Sequence, residues 1–205
     1  MNNSLKLAIL VGVVGCTTAV QQTTEANSEE DIQLDTALHV VEELKSVPLV
    51  LGENEFGQLK LTKDMQLSLD SLESAFPDFA IIESVGHQDG PDFKMFDLMK
   101  DTSRVAWVKM NDEDPNLVDR ITLTDPTIFD EYGFKIGDSF EHLLNTRPGL
   151  EAVITDHYHI IASEVGSPVG YELVGYWSGP DKREVDKDSL LHCTVEKVVW
   201  FNPDF

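Results

Sequence analysis

The chain has 205 residues, 15 Lys+Arg against 37 Asp+Glu, and a formal net charge of −22. Such an excess of negative charge repels nucleic acid and anionic lipid head groups, so no nucleic-acid surface is expected. Three tryptophans and a hydrophobic content of 41% exclude a disordered chain, and the length suffices for a sizeable core.

The N-terminus carries an address. Lys6 precedes the apolar run Leu7–Val14, which ends in Val13-Val14-Gly15-Cys16. An aliphatic residue at −3, a small residue at −1 and a cysteine at +1 form a bacterial lipobox. Residues 1–15 are therefore expected to be a lipoprotein signal peptide, cut before Cys16. The eight apolar residues are too few for a spanning helix, which needs roughly 20. Acyl chains on Cys16 would anchor the protein, since two or more chains hold stably where one holds weakly. Thr17 is not the aspartate that favours the inner membrane, so the expected location is the outer membrane, facing the periplasm. Acylation of Cys16 leaves Cys193 without a partner, and a buried apolar cysteine on a strand is expected.

Residues 16–33 are polar and without period, which predicts a flexible tether. The rest of the chain, 34–205, reads as one α+β domain. Leu34, Leu38, Val41 and Leu44 fall at helical spacing, with Asp35 early and Lys45 late, and Pro48 marks the end of that helix.

From residue 56 the chain repeats itself, over about 56–126 and 132–203. Phe56-Gly57 matches Tyr132-Gly133. Leu69–Pro77 matches Phe140–Pro148, and Val118–Pro126 matches Val195–Pro203. The period is too long for a solenoid and suggests a duplicated half-domain. Each copy reads as a strand, a short helix and about four antiparallel strands. The first set lies near Phe79–Val85, Phe93–Leu98, Val105–Met110 and Val118–Leu123. The second lies near Glu151–Thr155, Tyr158–Ala162, Val169–Trp177 and Cys193–Phe201. Gly166-Ser167-Pro168 and 86–91 are turns. The helices are expected on one sheet face. Arg120 and Lys197 are placed on the solvent side of matching strands.

No catalytic set is expected. Gly137-Asp138-Ser139-Phe140 is similar to an esterase nucleophile motif, but Asp188-Ser189-Leu190-Leu191-His192 has one residue too many for the partner pair. A capping-box-like start with Asp138 and Glu141, in which Asp138 or Ser139 accepts the free amide hydrogens of the first turn, explains those residues better. Asp156-His157-Tyr158-His159 puts His157 and His159 on one face of a strand, a weak metal candidate that needs a third ligand such as His192 or Cys193. The acidic run Asn111–Asn116 lacks the glycine and spacing of a calcium loop and reads as a hairpin tip. Trp107, Trp177, Trp200, Tyr171 and Tyr176 are either core or the lining of a ligand groove. No cofactor is expected.

On Ile121–Pro126, Tyr132–Phe140, Pro148-Gly149-Leu150 and His157–Ile161, the chain resembles the envelope-stress (RpoE) regulated lipoproteins, over roughly residues 49–205. The resemblance implies an α+β domain on the outer membrane and brings no catalytic residues. The function expected is non-enzymatic, an envelope-maintenance role through contacts with envelope proteins. A metal site or hydrolase at His157 and His159, and a small apolar ligand or lipid binder, are the alternatives.

Overall fold

The computed structural model describes residues 49–87, 90–155, 159–176 and 185–202. The lipobox with Cys16, the tether, the helix expected at 34–44, and Asp156, His157, Tyr158 and Trp177 lie outside the described residues.

Four short strands form a small sheet. They are β1 (Val50–Leu51), β2 (Glu55–Phe56), β3 (Leu59–Lys60) and β8 (Phe129–Asp130), in the order β3-β2-β1-β8. Eight longer strands form the second sheet. They are β4 (Ala80–Gly86), β5 (Phe93–Lys100), β6 (Ser103–Met110), β7 (Val118–Leu123), β9 (Leu150–Ile154), β10 (His159–Glu164), β11 (Val169–Tyr176) and β12 (Val195–Phe201). Their order is β4-β5-β6-β7-β12-β11-β10-β9, and every neighbouring pair is antiparallel. Two four-stranded meanders therefore meet along the β7–β12 pair. Two helices, α1 (Leu69–Ala75) and α2 (Phe140–Thr146), each precede one meander. The fold is α+β, mostly β by residue. No helix among the described residues is long and apolar enough to cross a membrane.

Local chemistry starts both helices. Ser68 and Ser71 exchange side-chain-to-backbone bonds of 3.2 and 2.9 Å, a reciprocal cap for α1. In α2 the cap is Ser139, whose hydroxyl accepts the His142 N–H at 3.2 Å. Of the two expected cap candidates, the helix uses Ser139. Asp138 instead accepts the Lys135 N–H at 2.9 Å and closes the preceding turn. The strand expected to open the second copy is not formed at 132–136, which is a turn region after β8. Cys193 is buried as expected, but it lies two residues before β12 rather than on it.

Strand alternation sends neighbouring side chains to opposite sheet faces. On one face Phe96, Val108, Ile121 and Trp200 are successive cross-strand partners, all fully buried or nearly so. That face carries the core, which Leu72 of α1 and Phe140 and Leu143 of α2 join. On the other face Met95, Lys109, Arg120 and Phe201 follow one another in the same register. This open face positions the candidate site.

Candidate ligand groove on the open sheet face

The open face has a groove of about 350 Å³ centred on the β7–β12 seam. Its residues come from both meanders: Phe93, Trp107, Lys109 and Arg120 from one side, and Thr155, His159, Ile161, Glu172, Lys197 and Phe201 from the other. Three permanent cations stand against a single carboxylate, in a chain of net charge −22. The volume falls at the lower end of the roughly 300–1,000 Å³ typical of ligand sites.

The charges differ in how they are held. Lys197 lies 2.8 Å and His159 Nδ1 2.7 Å from the same oxygen of Glu172, whose side chain is 7% exposed. Lys109 reaches Asp112 and Asp119 at 3.3 Å each, and its ammonium sits 4.6 Å from the Phe93 ring centre. Arg120 has no such compensation. Its guanidinium lies between two aromatic rings, 5.8 Å from Trp107 and 5.7 Å from Phe201. Among the described residues no carboxylate pairs with it, and its buried Nε finds no hydrogen-bond partner. Thr122, beside Trp107 in the register, also has a buried hydroxyl without a partner. Buried polar atoms are normally satisfied, so two orphans at one seam call for an explanation.

Glycines shape the walls. The Phe93 ring lies across Gly86, where an added Cβ would come 2.1 Å from Cε2. The Phe201 ring covers Gly170 in the same manner at 3.2 Å. An aromatic ring laid over a strand glycine shields the bare backbone and leaves that stretch of the face low.

A second polar constellation lies on the core side. Arg147, 4% exposed, donates to the Tyr171 hydroxyl at 2.9 Å and to Glu164 Oε2 at 2.8 Å. Tyr171 donates to Asp130 Oδ2 at 2.6 Å, and Asp130 Oδ1 accepts the backbone N–H of Tyr132 and Phe134. Glu53 Oε1 accepts from the Tyr132 hydroxyl and the Ser167 hydroxyl, both at 2.7 Å. Burial pushes the Asp130 carboxyl above its usual value, against the hydrogen bonds that favour its charge. Hydrogen bonds from Ser167 and Tyr132 hold the Glu53 carboxyl below its usual value. Burial and the Glu53 bond push the Tyr132 phenol up to about 12, and burial with the Asp130 charge raises Tyr171 as well. Burial works to lower Arg147, but its bonds to Glu164 and Tyr171 outweigh that and raise it. Every hydroxyl and carboxylate here has a partner inside the protein. The cluster ties α2, the small sheet and β10–β11 together and acts as a polar lock.

The residues singled out in the sequence divide accordingly. Trp107 lines the groove, whereas Trp200 and Tyr171 are buried on the opposite face. Trp200 donates its indole N–H to the Glu53 carbonyl at 2.9 Å. His159 is in the groove, bound to Glu172. His157 lies outside the described residues, and among those described no three His, Cys, Asp or Glu side chains gather as a metal site. Ser139 serves as a helix cap. The acidic run is a hairpin tip folded on itself, with Asn111 Oδ1 accepting the Glu113 and Asp114 N–H at 2.9 Å each. Arg120 and Lys197 stand on the open face as expected. What the sequence did not reveal is that Arg120 sits between rings from two distant strands.

The chain is 26% identical over 151 residues to the uncharacterized protein YfeY of Escherichia coli (strain K12), covering 72% of this chain and 78% of that protein. The crystal structure of the uncharacterized protein yfeY from Escherichia coli superposes with a TM-score of 0.56 at 22% identity, over 74% of this chain and 99% of that one. That likeness shows the same fold. The family model described as a protein of unknown function, DUF1131, matches residues 48–202, and the chain belongs to that family.

Proposed function

We propose that this chain is a lipid-anchored, periplasm-facing, non-catalytic binding protein with a role in envelope maintenance. The groove at the β7–β12 seam is its contact surface. The observation that carries this reading is the uncompensated Arg120 between Trp107 and Phe201. Arginine and aromatic side chains are enriched where binding energy concentrates, and this trio lies on the open sheet face of a strongly acidic chain. The lipobox at Cys16 supports the anchor, and the resemblance to envelope-stress lipoproteins supports the role.

The groove gains meaning from a second part of the proposal, that the two meanders are copies of one half-domain. Similar backbone bonds support it. Each helix is preceded by one antiparallel bridge to its meander, the second displaced two residues toward the helix: Val118 N–H bonds to Met65 O and Leu67 N–H to Asn116 O, and Val195 N–H bonds to Asp138 O and Phe140 N–H to Cys193 O. Gly57 and Gly133, in matching turns, have φ of 58° and 85°. A seam between two copies is where side chains from both meet without either copy having a dedicated partner for them.

Two measurements test the proposal. Mass spectrometry of membrane-extracted protein should find an acylated Cys16 at the N-terminus, and Cys16→Ser should release the protein from the membrane fraction. A photo-crosslinker at Ile161 should trap an envelope component that one at exposed Glu73 on α1 does not. An unprocessed N-terminus removes the anchor, and equal trapping at both positions removes the groove.

A further inference from the structure

We infer that the groove binds a free amphiphilic oxyanion: one carboxylate or phosphate group, held by Arg120, on an apolar body lying against Trp107, Phe93 and Ile161. This deepens the binding reading above and rests on it.

A guanidinium presents a planar fork of donors that matches a carboxylate or phosphate in two parallel bonds. Every other cation in the groove already faces a carboxylate. Lys197 has Glu172, and Lys109 has Asp112 and Asp119. Arg120 alone among the groove's permanent cations is left with two ring faces and a buried, unpartnered Nε. With 37 acids against 15 bases in the chain, internal pairing would be easy to provide, so an unpaired arginine leaves an exogenous anion as its fitting partner. The two neighbouring rings lower the exposure of the guanidinium and strengthen its field on an arriving charge.

The occupant's body follows from the walls. Trp107, Phe93, Phe201 and Ile161 are partly exposed on this face and make an apolar bed beside the charge. A peptide strand is disfavoured as occupant, because β5, β6, β7, β12, β11 and β10 are all interior strands whose ladder groups already bond to neighbours. A bilayer surface is disfavoured too. The net charge of −22 repels anionic head groups, and a concave groove with a lone free cation is not a flat basic patch. A single amphiphile small enough for about 350 Å³ meets both limits.

The test uses the full-length chain with Cys16→Ser, which removes the acylation site and any need for detergent. Decanoate, decyl phosphate and decanol are titrated below their micelle concentrations, by calorimetry and by the Trp107 indole N–H resonance. Binding of decanoate or decyl phosphate, with a shift of Trp107 and clearly weaker binding of decanol, is expected. Whichever anion binds tighter names the head group. Arg120→Gln should lower anion affinity by at least about tenfold and leave decanol unchanged, and Arg120→Lys should fall between. If Arg120→Gln does not fold, the anion-to-decanol ratio and the Arg120→Lys variant decide. Equal binding of decanol and the anions, or no effect of either variant, overturns the inference while the groove reading survives. Binding to phosphatidylglycerol vesicles without binding of the monomeric anions overturns the choice of a free amphiphile. Silence from all probes also overturns the inference, and the Ile161 crosslinks then judge the groove reading separately.

Discussion

Phe76 and Arg147 close the two helices in the same way. Their φ/ψ values are −128°/60° and −123°/76°, each donates its N–H to the carbonyl four residues back, at 2.9 and 2.7 Å, and each precedes a proline. Their side chains diverge. The Phe76 ring packs 5.1 Å from Phe56, whereas the Arg147 guanidinium stands 3.8 Å from the Tyr132 ring and bonds to Glu164 and Tyr171. One backbone position thus holds an apolar plug in one place and a charged hub in the other.

Loss of either hub should be costly for different reasons. Phe76→Ala leaves a cavity and should destabilise by about 3–5 kcal/mol. Arg147→Met packs comparably but strands Glu164 and the Tyr171–Asp130 pair, and should cost about 3 kcal/mol. Adding Glu164→Gln and Asp130→Asn to Arg147→Met should recover part of that loss. Urea unfolding of the set measures it, and an Arg147→Met variant as stable as wild type contradicts the polar lock.

Glu53 and Asp130 should give stability opposite slopes with pH. The Glu53 carboxyl is held below its ordinary 4.5, so the unfolded chain takes up its proton first on acidification. Its contribution is present above 4.5 and is lost as pH falls through the lowered folded value. The Asp130 carboxyl is raised above its ordinary 3.8, so the folded chain keeps that proton longer. Its contribution is greatest below 3.8 and declines as pH rises through the raised folded value. Glu53→Gln should therefore cost more at about pH 6 than at about pH 3, and Asp130→Asn should cost less at the higher pH. Denaturant midpoints at both values check this, and parallel trends for the two variants contradict it.

Gly86 should be intolerant of a side chain because of Phe93. A Cβ there meets the ring at 2.1 Å, so Gly86→Ala must displace it and strip Lys109 of its aromatic contact. Overpacking of this kind costs about 1–3 kcal/mol. Combining Gly86→Ala with Phe93→Ala should relieve the clash, leaving the double variant near Phe93→Ala alone. A thermal-denaturation cycle reads the coupling, and additive losses would show that the two do not interact.

Cys193 should be a slow thiol. It is 9% exposed, and burial pushes its pKa up, which lowers the thiolate fraction at neutral pH. Iodoacetamide should modify it at least about tenfold more slowly in native protein than in urea. Equal rates would place the thiol at the surface.

Much of the sheet was legible because side-chain alternation is a local property. The strand expected at Val118–Leu123 coincides with β7, and that expected at Val169–Trp177 overlaps β11. Arg120 and Lys197 were assigned correctly to the open side, since period-two alternation sets a residue's side once its neighbours are known to be core. The cap of α2 was legible only as Asp138 or Ser139 because both are good caps, and the choice fell to the Lys135 turn that Asp138 closes. The three aromatic strand positions Trp107, Tyr171 and Trp200 could not be sorted by type, because a shift of one residue in a strand exchanges the two faces.

The amino-acid order alone determined the alternation along each strand, where the two helices begin to within a residue, and the acidic balance of the chain. Each follows from chemistry within a few residues. Pairing between β7 and β12 was decided only by the folded whole. So was the meeting of Arg120, Trp107 and Phe201, and that of Arg147, Tyr171, Asp130 and Glu53. Ser167, which joins the second cluster through Glu53, lies 114 residues from it. No local preference encodes such a contact; it arises when burial of the core face brings the strands into register and leaves the opposite face, with its unpaired arginine, to the solvent.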